Sequence, residues 1–343
     1  MRAGYTPVVV RASLLALLAL LVLAGCPAAD SPADGGPSAW GEVAALPGAR
    51  LEAGVTALGQ RLVVAGGFGP DLAITRSVAA LDQVAGAWTA LPDAPVALTH
   101  AQLAGVATTL YLIGGNEGAD FVARGEVYAL DTGVADAAWR PLTPMPAGLA
   151  RGAAAVVVAP PHVFLLGGAS TTTALASVLD YNVATDAWEV LPELPTPRSH
   201  AVGMRMADGT LIVAGGLASL SAAEPLAEVW ALRPGATAWT PRAPMPTARG
   251  GCAAAVVLGR LVCAGGEAGT RALDVVEVYD PVQDAWITVE PMPVARAGTQ
   301  GAAIGGRLLV PGGSGSLEFR PEATTLTFSL IAATAGAAPG AAN

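Results

Sequence analysis

The sequence predicts an all-β fold, a six-bladed propeller with four antiparallel strands per blade. Three observations predict it. Glycine pairs recur at Gly66-Gly67, Gly114-Gly115, Gly167-Gly168, Gly215-Gly216, Gly265-Gly266 and Gly312-Gly313, in steps of 48, 53, 48, 50 and 47 residues. A tryptophan keeps the same beat at Trp40, Trp88, Trp139, Trp188, Trp239 and Trp286. Between the markers lie short apolar runs separated by turn residues, with no helical period. Two markers locked at one period mean a repeated supersecondary unit, which must stack on copies of itself to bury its faces.

The repeat around Gly265 shows each element in order. Cys252 to Val257 is a first strand, and a turn around Gly259 leads to a second strand, Leu261 to Ala264, ending at the glycine pair. A loop precedes a third strand, Val275 to Tyr279. The turn Asp280-Pro281-Val282-Gln283-Asp284 then opens a fourth strand at Trp286. Asp208-Gly209 and Gly305-Gly306 occupy the first turn in other repeats, the two-residue hairpin signal. The tryptophan is expected to bury its bulk against the side-chain-free glycine pair, so truncating Trp188 to alanine should cost roughly 3–5 kcal/mol.

The phase of the markers sets the closure. Trp40 precedes the first glycine pair, and no tryptophan follows the last; Leu326 stands at that place. The segment Ala39 to Leu46 is therefore expected to form the outer strand of the last blade, with its inner strands drawn from residues 296–322. The rival arrangement makes Thr325 to Leu330 that outer strand.

Gly-Gly, a valine-rich strand, Tyr-Asp and a tryptophan seven residues after the tyrosine together resemble the kelch repeat. Tyr279-Asp280 with Trp286 and Tyr181 with Trp188 match it, and Leu81-Asp82 with Trp88 keeps the spacing but replaces the tyrosine. The resemblance covers nearly all of residues 39–330. It implies a propeller whose loops between strands two and three, and before strand one, share a partner-binding face.

The N-terminus carries a separate signal. Arg2 and Arg11 flank an apolar run from Ala12 to Leu23, too short to span a bilayer and suited to an export signal. It ends in Leu23-Ala24-Gly25-Cys26, which resembles a bacterial lipobox. That resemblance implies a signal peptide at residues 1–25, lipidation of Cys26 and location in the cell envelope, with Pro27 after the cysteine favouring the outer membrane. Residues 26–38 have no large apolar side chain and read as a tether of ~20 Å reach. Residues 331–343, rich in alanine and glycine, read as a disordered tail.

Composition excludes several functions. The 18 cations are all arginine, so lysine Schiff-base and P-loop chemistry are ruled out. Without residues 1–25 the chain has 16 cations against 27 anions. Such a surface repels phosphate backbones, and no nucleic-acid partner is expected. No Cys-x-x-Cys, His-Glu-x-x-His or Gly-x-Ser-x-Gly occurs, so no catalytic motif, cofactor or metal is expected.

Candidate contacts remain at the start of the innermost strands. Arg50, Arg151, Arg198, Arg249 and Arg296 occupy that place in five repeats, and Leu98 in the other. They could form a positive funnel for a carboxylate, sulfate or phosphate, or bond to carbonyls of a neighbouring blade. His100 and His200 hold equivalent inner-strand positions two blades apart, and Glu52 is a further inner-strand candidate. A shared metal would need them to converge, and no other repeat has a histidine there. Polar and charged residues after the glycine pairs (Asp71, Arg76, Asn116, Glu117, Asp120, Arg124, Glu267 and Arg271) line the same face. Asp82, Asp131, Asp136, Asp180, Asp186, Asp280 and Asp284 gather on the other as turn residues. Cys252 and Cys263 fall one pair out of register on adjacent strands, a wide diagonal, so buried free thiols are expected.

The expected protein is a monomeric, lipid-anchored scaffold binding a protein or glycan partner through its channel-mouth loops. The alternative is a carbohydrate-active enzyme resembling the six-bladed sialic-acid mutarotases. It would require the arginines to hold a sugar carboxylate, with His100, His200 or Glu52 as acid–base group.

Overall fold

The structure is a computed structural model that describes residues 39–331. The expected signal peptide, the lipidation site Cys26, the tether and nearly all of the tail lie outside the described residues.

Six four-stranded antiparallel sheets form the six blades. Blade one contains Gly54–Leu58, Arg61–Ala65, Val78–Asp82 and Ala87–Leu91. Blade two contains Gln102–Val106, Thr109–Glu117, Val122–Asp131 and Arg140–Leu142. Blade three contains Ala155–Ala159, His162–Leu166, Val178–Asn182 and Ala187–Leu191. Blade four contains Val202–Arg205, Leu211–Ala214, Val229–Leu232 and Thr240–Arg242. Blade five contains Ala253–Val257, Arg260–Ala264, Val276–Asp280 and Ala285–Val289. In blade six Ala302–Ile304, Arg307–Pro311 and Thr325–Phe328 run outward, and Trp40–Val43 pairs with Thr325–Phe328 as the fourth strand.

The N-terminal strand thus closes the ring. Residues 325–328 correct the expected boundary at 322: they form the third strand of blade six. Leu326 therefore sits inward of the tryptophan position, which Trp40 fills from the other end of the chain, its ring 4.9 Å from Phe328.

The hydrophobic core is divided into six layers, each between adjacent blades. Leu62, Val64 and Leu81 of blade one meet Ile304 and Leu309 of blade six, for example. In blade four Val213 packs toward blade three, whereas Ile212 and Ala214 pack toward blade five. Alternate residues of one strand thus enter opposite layers, which is why the strands read as continuous apolar runs.

Two sets of contacts join the blades, and they correct the expectation that indole and glycine pair meet. The first set is at the glycines. The second glycine of each pair donates its N–H to the carbonyl at the arginine position of the next blade: Gly67 to Leu98, Gly115 to Arg151, Gly168 to Arg198, Gly216 to Arg249, Gly266 to Arg296 and Gly313 to Arg50, at 2.7–2.9 Å. A Cβ on the first glycine would lie 2.4–2.7 Å from that same carbonyl oxygen in all six blades. The pair lacks side chains because the neighbouring backbone occupies the space.

The second set is at the indoles. Every marker tryptophan donates Nε1–H to a carbonyl just past the outer strand of the preceding blade: Trp88 to Ala44, Trp139 to Pro92, Trp188 to Thr143, Trp239 to Pro192, Trp286 to Ala243 and Trp40 to Glu290, at 2.9–3.3 Å. Within the blade the ring lies on the tyrosine of strand three: Trp188 on Tyr181 at 4.6 Å, Trp286 on Tyr279 at 5.0 Å.

The aspartates take different roles, and Asp180 corrects the expected turn role: it is buried in strand three of blade three, where it holds His162 Nδ1 at 2.7 Å. Asp82, Asp131 and Asp280 accept backbone N–H bonds within their own turns, as expected of turn residues. Asp186 and Asp284 instead accept the N–H of Thr143 and Ala243 in the preceding blade, as well as the hydroxyls of Tyr181 and Tyr279.

Cys252 and Cys263 form a disulfide, correcting the expectation of free thiols. Cys263 pairs with Ala254, and the ladder begins at Ala253, so Cys252 stands just outside it. A left-handed residue, Gly251, precedes it, and its Cα lies 5.7 Å from that of Cys263, within disulfide reach.

Candidate functional site at the channel axis

The inner strands begin with a three-residue step: the arginine position, a bridging residue and a third residue at the axis. The third residues are Glu52, His100, Ala153, His200, Gly251 and Gly298, all left-handed, with φ between 52° and 65°. They are joined head to tail around the axis. Glu52 N–H donates to the carbonyl of Gly298, His100 to Glu52, Ala153 to His100, His200 to Ala153 and Gly251 to His200, at 2.7–2.9 Å. A backbone ring therefore constricts the axis. Three of its members carry polar side chains, and none of these three is the glycine that this conformation favours. Strained positions of this kind cluster at functional sites.

The ring brings together what sequence reasoning kept apart. The ligating atoms of Glu52, His100 and His200 all lie within 4.8 Å of one another. His100 Nε2 is 3.3 Å from Glu52 Oε2, and the two imidazoles meet edge to face with centroids 5.2 Å apart. Two blades are distant in sequence but close at the hub of a sixfold ring.

The other ring nitrogens are held by neighbours. His200 Nδ1 lies 3.0 Å from Ser199 Oγ, which gives its own proton to the carbonyl of Ser219 at 3.0 Å. The hydroxyl must therefore accept from Nδ1–H. His100 Nδ1 lies 3.0 Å from Thr99 Oγ1, whose proton points to the carbonyl of Asn116. His200 thus keeps its hydrogen on Nδ1 and leaves Nε2 as a lone pair, whereas the Thr99 hydroxyl fixes the His100 ring with Nε2 toward Glu52. Burial pulls both histidines down to about 4. It pushes the Glu52 carboxyl up, and burial together with the charge of Glu52 raises Glu267 to about 7.

On one side of the ring lies the central channel, about 680 Å³, walled mainly by Val55, Leu103, Val157, Val202 and Met204. On the other side lies the loop face. Phe121 packs on His100 at 5.8 Å, and Phe68 lies 6.1 Å from Phe121 and 6.2 Å from Phe319. Phe121 and Phe319 are exposed, as are Leu72 and Leu220 in equivalent loops. A hollow of about 50 Å³ beside them is lined by Glu52, Glu267 and Phe319. The phenylalanines went unnoticed in the sequence, although three of only five in the chain follow a glycine pair.

The arginines correct another expectation, because they form no positive funnel. Arg151, Arg198, Arg249 and Arg296 are at most 2% exposed. Arg151 donates to the carbonyls of Leu149, Gly167 and Ser177; Arg198 to those of Thr196, Gly215 and Glu228, and to the Glu228 carboxylate. Arg249 and Arg296 pair with Glu277 at 3.0 Å and Glu322 at 2.6 Å. Arg50, half-buried, reaches Ser77 and the carbonyls of Gly48 and Ala49. The guanidiniums of Arg151, Arg198 and Arg249 tie strands two and three of their own blade, not of a neighbour. Among the charged loop residues, Arg124 is held by Glu117 and Glu126, and Asp71 accepts the N–H of Ala73.

Comparison with known proteins agrees with this architecture. The KLHDC2/KLHL20/DRC7 Kelch-repeats domain matches residues 100–313. The chain belongs to the kelch repeat family. It is 32% identical over 275 residues to Kelch-like protein terF of Aspergillus terreus, covering 74% of this chain and 58% of that one. It is 29% identical over 177 residues to Kelch-like protein 35 of Mus musculus, covering 52% of this chain and 29% of that protein. The kelch chain thus spans less than two thirds of the length of these curated relatives. The solved structure of YjhT shares its fold with a TM-score of 0.70 at 16% identity, covering 84% of this chain and 97% of that one.

Proposed function

We propose that this kelch propeller is an exported, lipid-anchored scaffold at a bacterial cell envelope, binding a protein or glycan partner through the loop face. The observation that carries the reading is the cluster of Phe68, Phe121 and Phe319 over the axis, with Leu72 and Leu220 exposed in equivalent loops. Apolar rings exposed together on one face of an acidic protein suit an apolar peptide or the face of a sugar. The disulfide in blade five suits an oxidising compartment. Among the described residues no helix is long and apolar enough to cross a membrane. The proposed point of attachment is Cys26, on the lipobox-like Leu23-Ala24-Gly25-Cys26.

The test is capture from envelope extracts with parent chain and with the pair Phe121→Ser and Phe319→Ser. The parent should retain a partner that the double variant loses; identical partner sets would remove the aromatic mouth from the account. Replacing Cys26 by serine should move the protein from the membrane to the soluble fraction.

A second reading, a carbohydrate-active enzyme, draws on the acid and two imidazoles that the ring places beside the channel. The arginines weigh against it, because Arg151, Arg198, Arg249 and Arg296 are buried away from any sugar carboxylate there. Accelerated exchange between the anomers of sialic acid, abolished by Glu52→Gln, would favour it over the scaffold.

A further inference from the structure

We propose that Glu52, His100 and His200 form a binding site for a divalent first-row transition metal ion at the axis of the propeller. Three independent features of the site converge on this. The donor set comes first: two imidazole nitrogens and one carboxylate oxygen suit zinc, iron, nickel or copper better than calcium or magnesium. The preparation of the ligands is second. The Ser199 hydroxyl takes the Nδ1 proton of His200 and the Thr99 hydroxyl fixes the His100 ring through Nδ1, as outer partners hold a metal-bound imidazole.

The third feature is spacing: His100 Nε2 and Glu52 Oε2 lie 3.3 Å apart, with the second imidazole beside them. Donors about 2.0–2.1 Å from an ion in tetrahedral geometry lie ~3.4 Å apart. His100 and Glu52 already have that separation, and His200 lies within 4.8 Å, a gap that side-chain rotation closes.

The backbone holds the three ligands as a unit, since the N–H groups of Glu52, His100, Ala153, His200 and Gly251 each bond the carbonyl of the previous blade. One side of the ion would face Phe121 and the loop mouth, and the other the channel, leaving coordination positions open to water or a small ligand. This inference does not rest on the partner-binding reading, because a propeller with a central ion could act as a scaffold or as a catalyst.

The experiment is titration of the chelator-treated full chain with Zn²⁺ by calorimetry, and with Co²⁺ by visible absorption. The expected result is one ion per chain, with cobalt bands of tetrahedral or five-coordinate intensity. Affinity should fall at least about a hundredfold in His100→Gln and in His200→Gln, and less in Glu52→Gln. His162→Gln, away from the axis in blade three, should bind like the parent. Circular dichroism and an unchanged unfolding midpoint establish that each variant folds; if a glutamine variant does not, Thr99→Val and Ser199→Ala, which loosen the imidazoles without removing them, should weaken binding about tenfold. Absence of stoichiometric uptake by the parent, or affinity in His100→Gln and His200→Gln equal to that of the parent, would overturn the site and leave only a hydrogen bond between His100 and Glu52.

Discussion

Trp188 shows how single residues hold this fold. Its ring lies on Tyr181 and its N–H reaches the carbonyl of Thr143 in the preceding blade. Trp188→Phe should therefore lose about 1 kcal/mol, the hydrogen bond alone, and Trp188→Ala about 3 kcal/mol, read from denaturant midpoints. Gly167 makes a sharper case. An added Cβ would sit 2.4 Å from the carbonyl oxygen of Arg198, so Gly167→Ala should cost about 3 kcal/mol; Gly235→Ala, also left-handed but in open space, should cost about 1 kcal/mol. Equal costs at the two glycines would contradict the interblade role of the pair. At the axis, both imidazoles of the chelated chain should titrate near pH 4 by proton NMR. Their folded-state values lie below the unfolded value, so their contribution to stability is present above about pH 6.5 and fades as pH falls toward 4. Glu52 and Glu267, raised by burial, act with the opposite sign, so replacing both histidines should flatten the loss on the acid side.

At the scale of the strand and the blade, much was legible in the sequence, because the signals there are local. Spacing of glycine pairs and tryptophans gave the blade count, and Trp40 standing before the first pair gave the closing strand. The third strand of blade six was misplaced because its sequence, Thr325–Phe328, lacks the tyrosine that marks blades three and five. The partner of the glycine pair was also misjudged: it is a backbone carbonyl, and a carbonyl leaves no mark in a sequence. The Cys252–Cys263 bond was hidden for a related reason, since register was counted as if both cysteines lay within the ladder. Removing it, as Cys252→Ser with Cys263→Ser, should lower stability by roughly 2–3 kcal/mol from the loop it closes, measured by denaturant unfolding with and without reductant. Deleting residues 39–43 should cost more, since it uncovers Phe328 and opens the ring at blade six.

At the scale of the whole molecule, sixfold closure is what makes a site out of dispersed residues. Glu52, His100 and His200 come from three blades, and only a hub of this radius brings their ligating atoms together. The same closure buries the arginines between strands and leaves the post-glycine loops to present Phe68, Phe121 and Phe319. The sequence concealed the convergence because it is a property of the axis rather than of any one repeat. The central claim is that this protein acts through its loop face. Hydrogen–deuterium exchange of the full chain, with and without its captured partner, tests it most directly. Protection should rise in the loops at residues 66–77, 114–122 and 312–324, where the phenylalanines lie. Protection confined to the opposite turns, at residues 83–86, 183–186 and 281–284, would contradict the account.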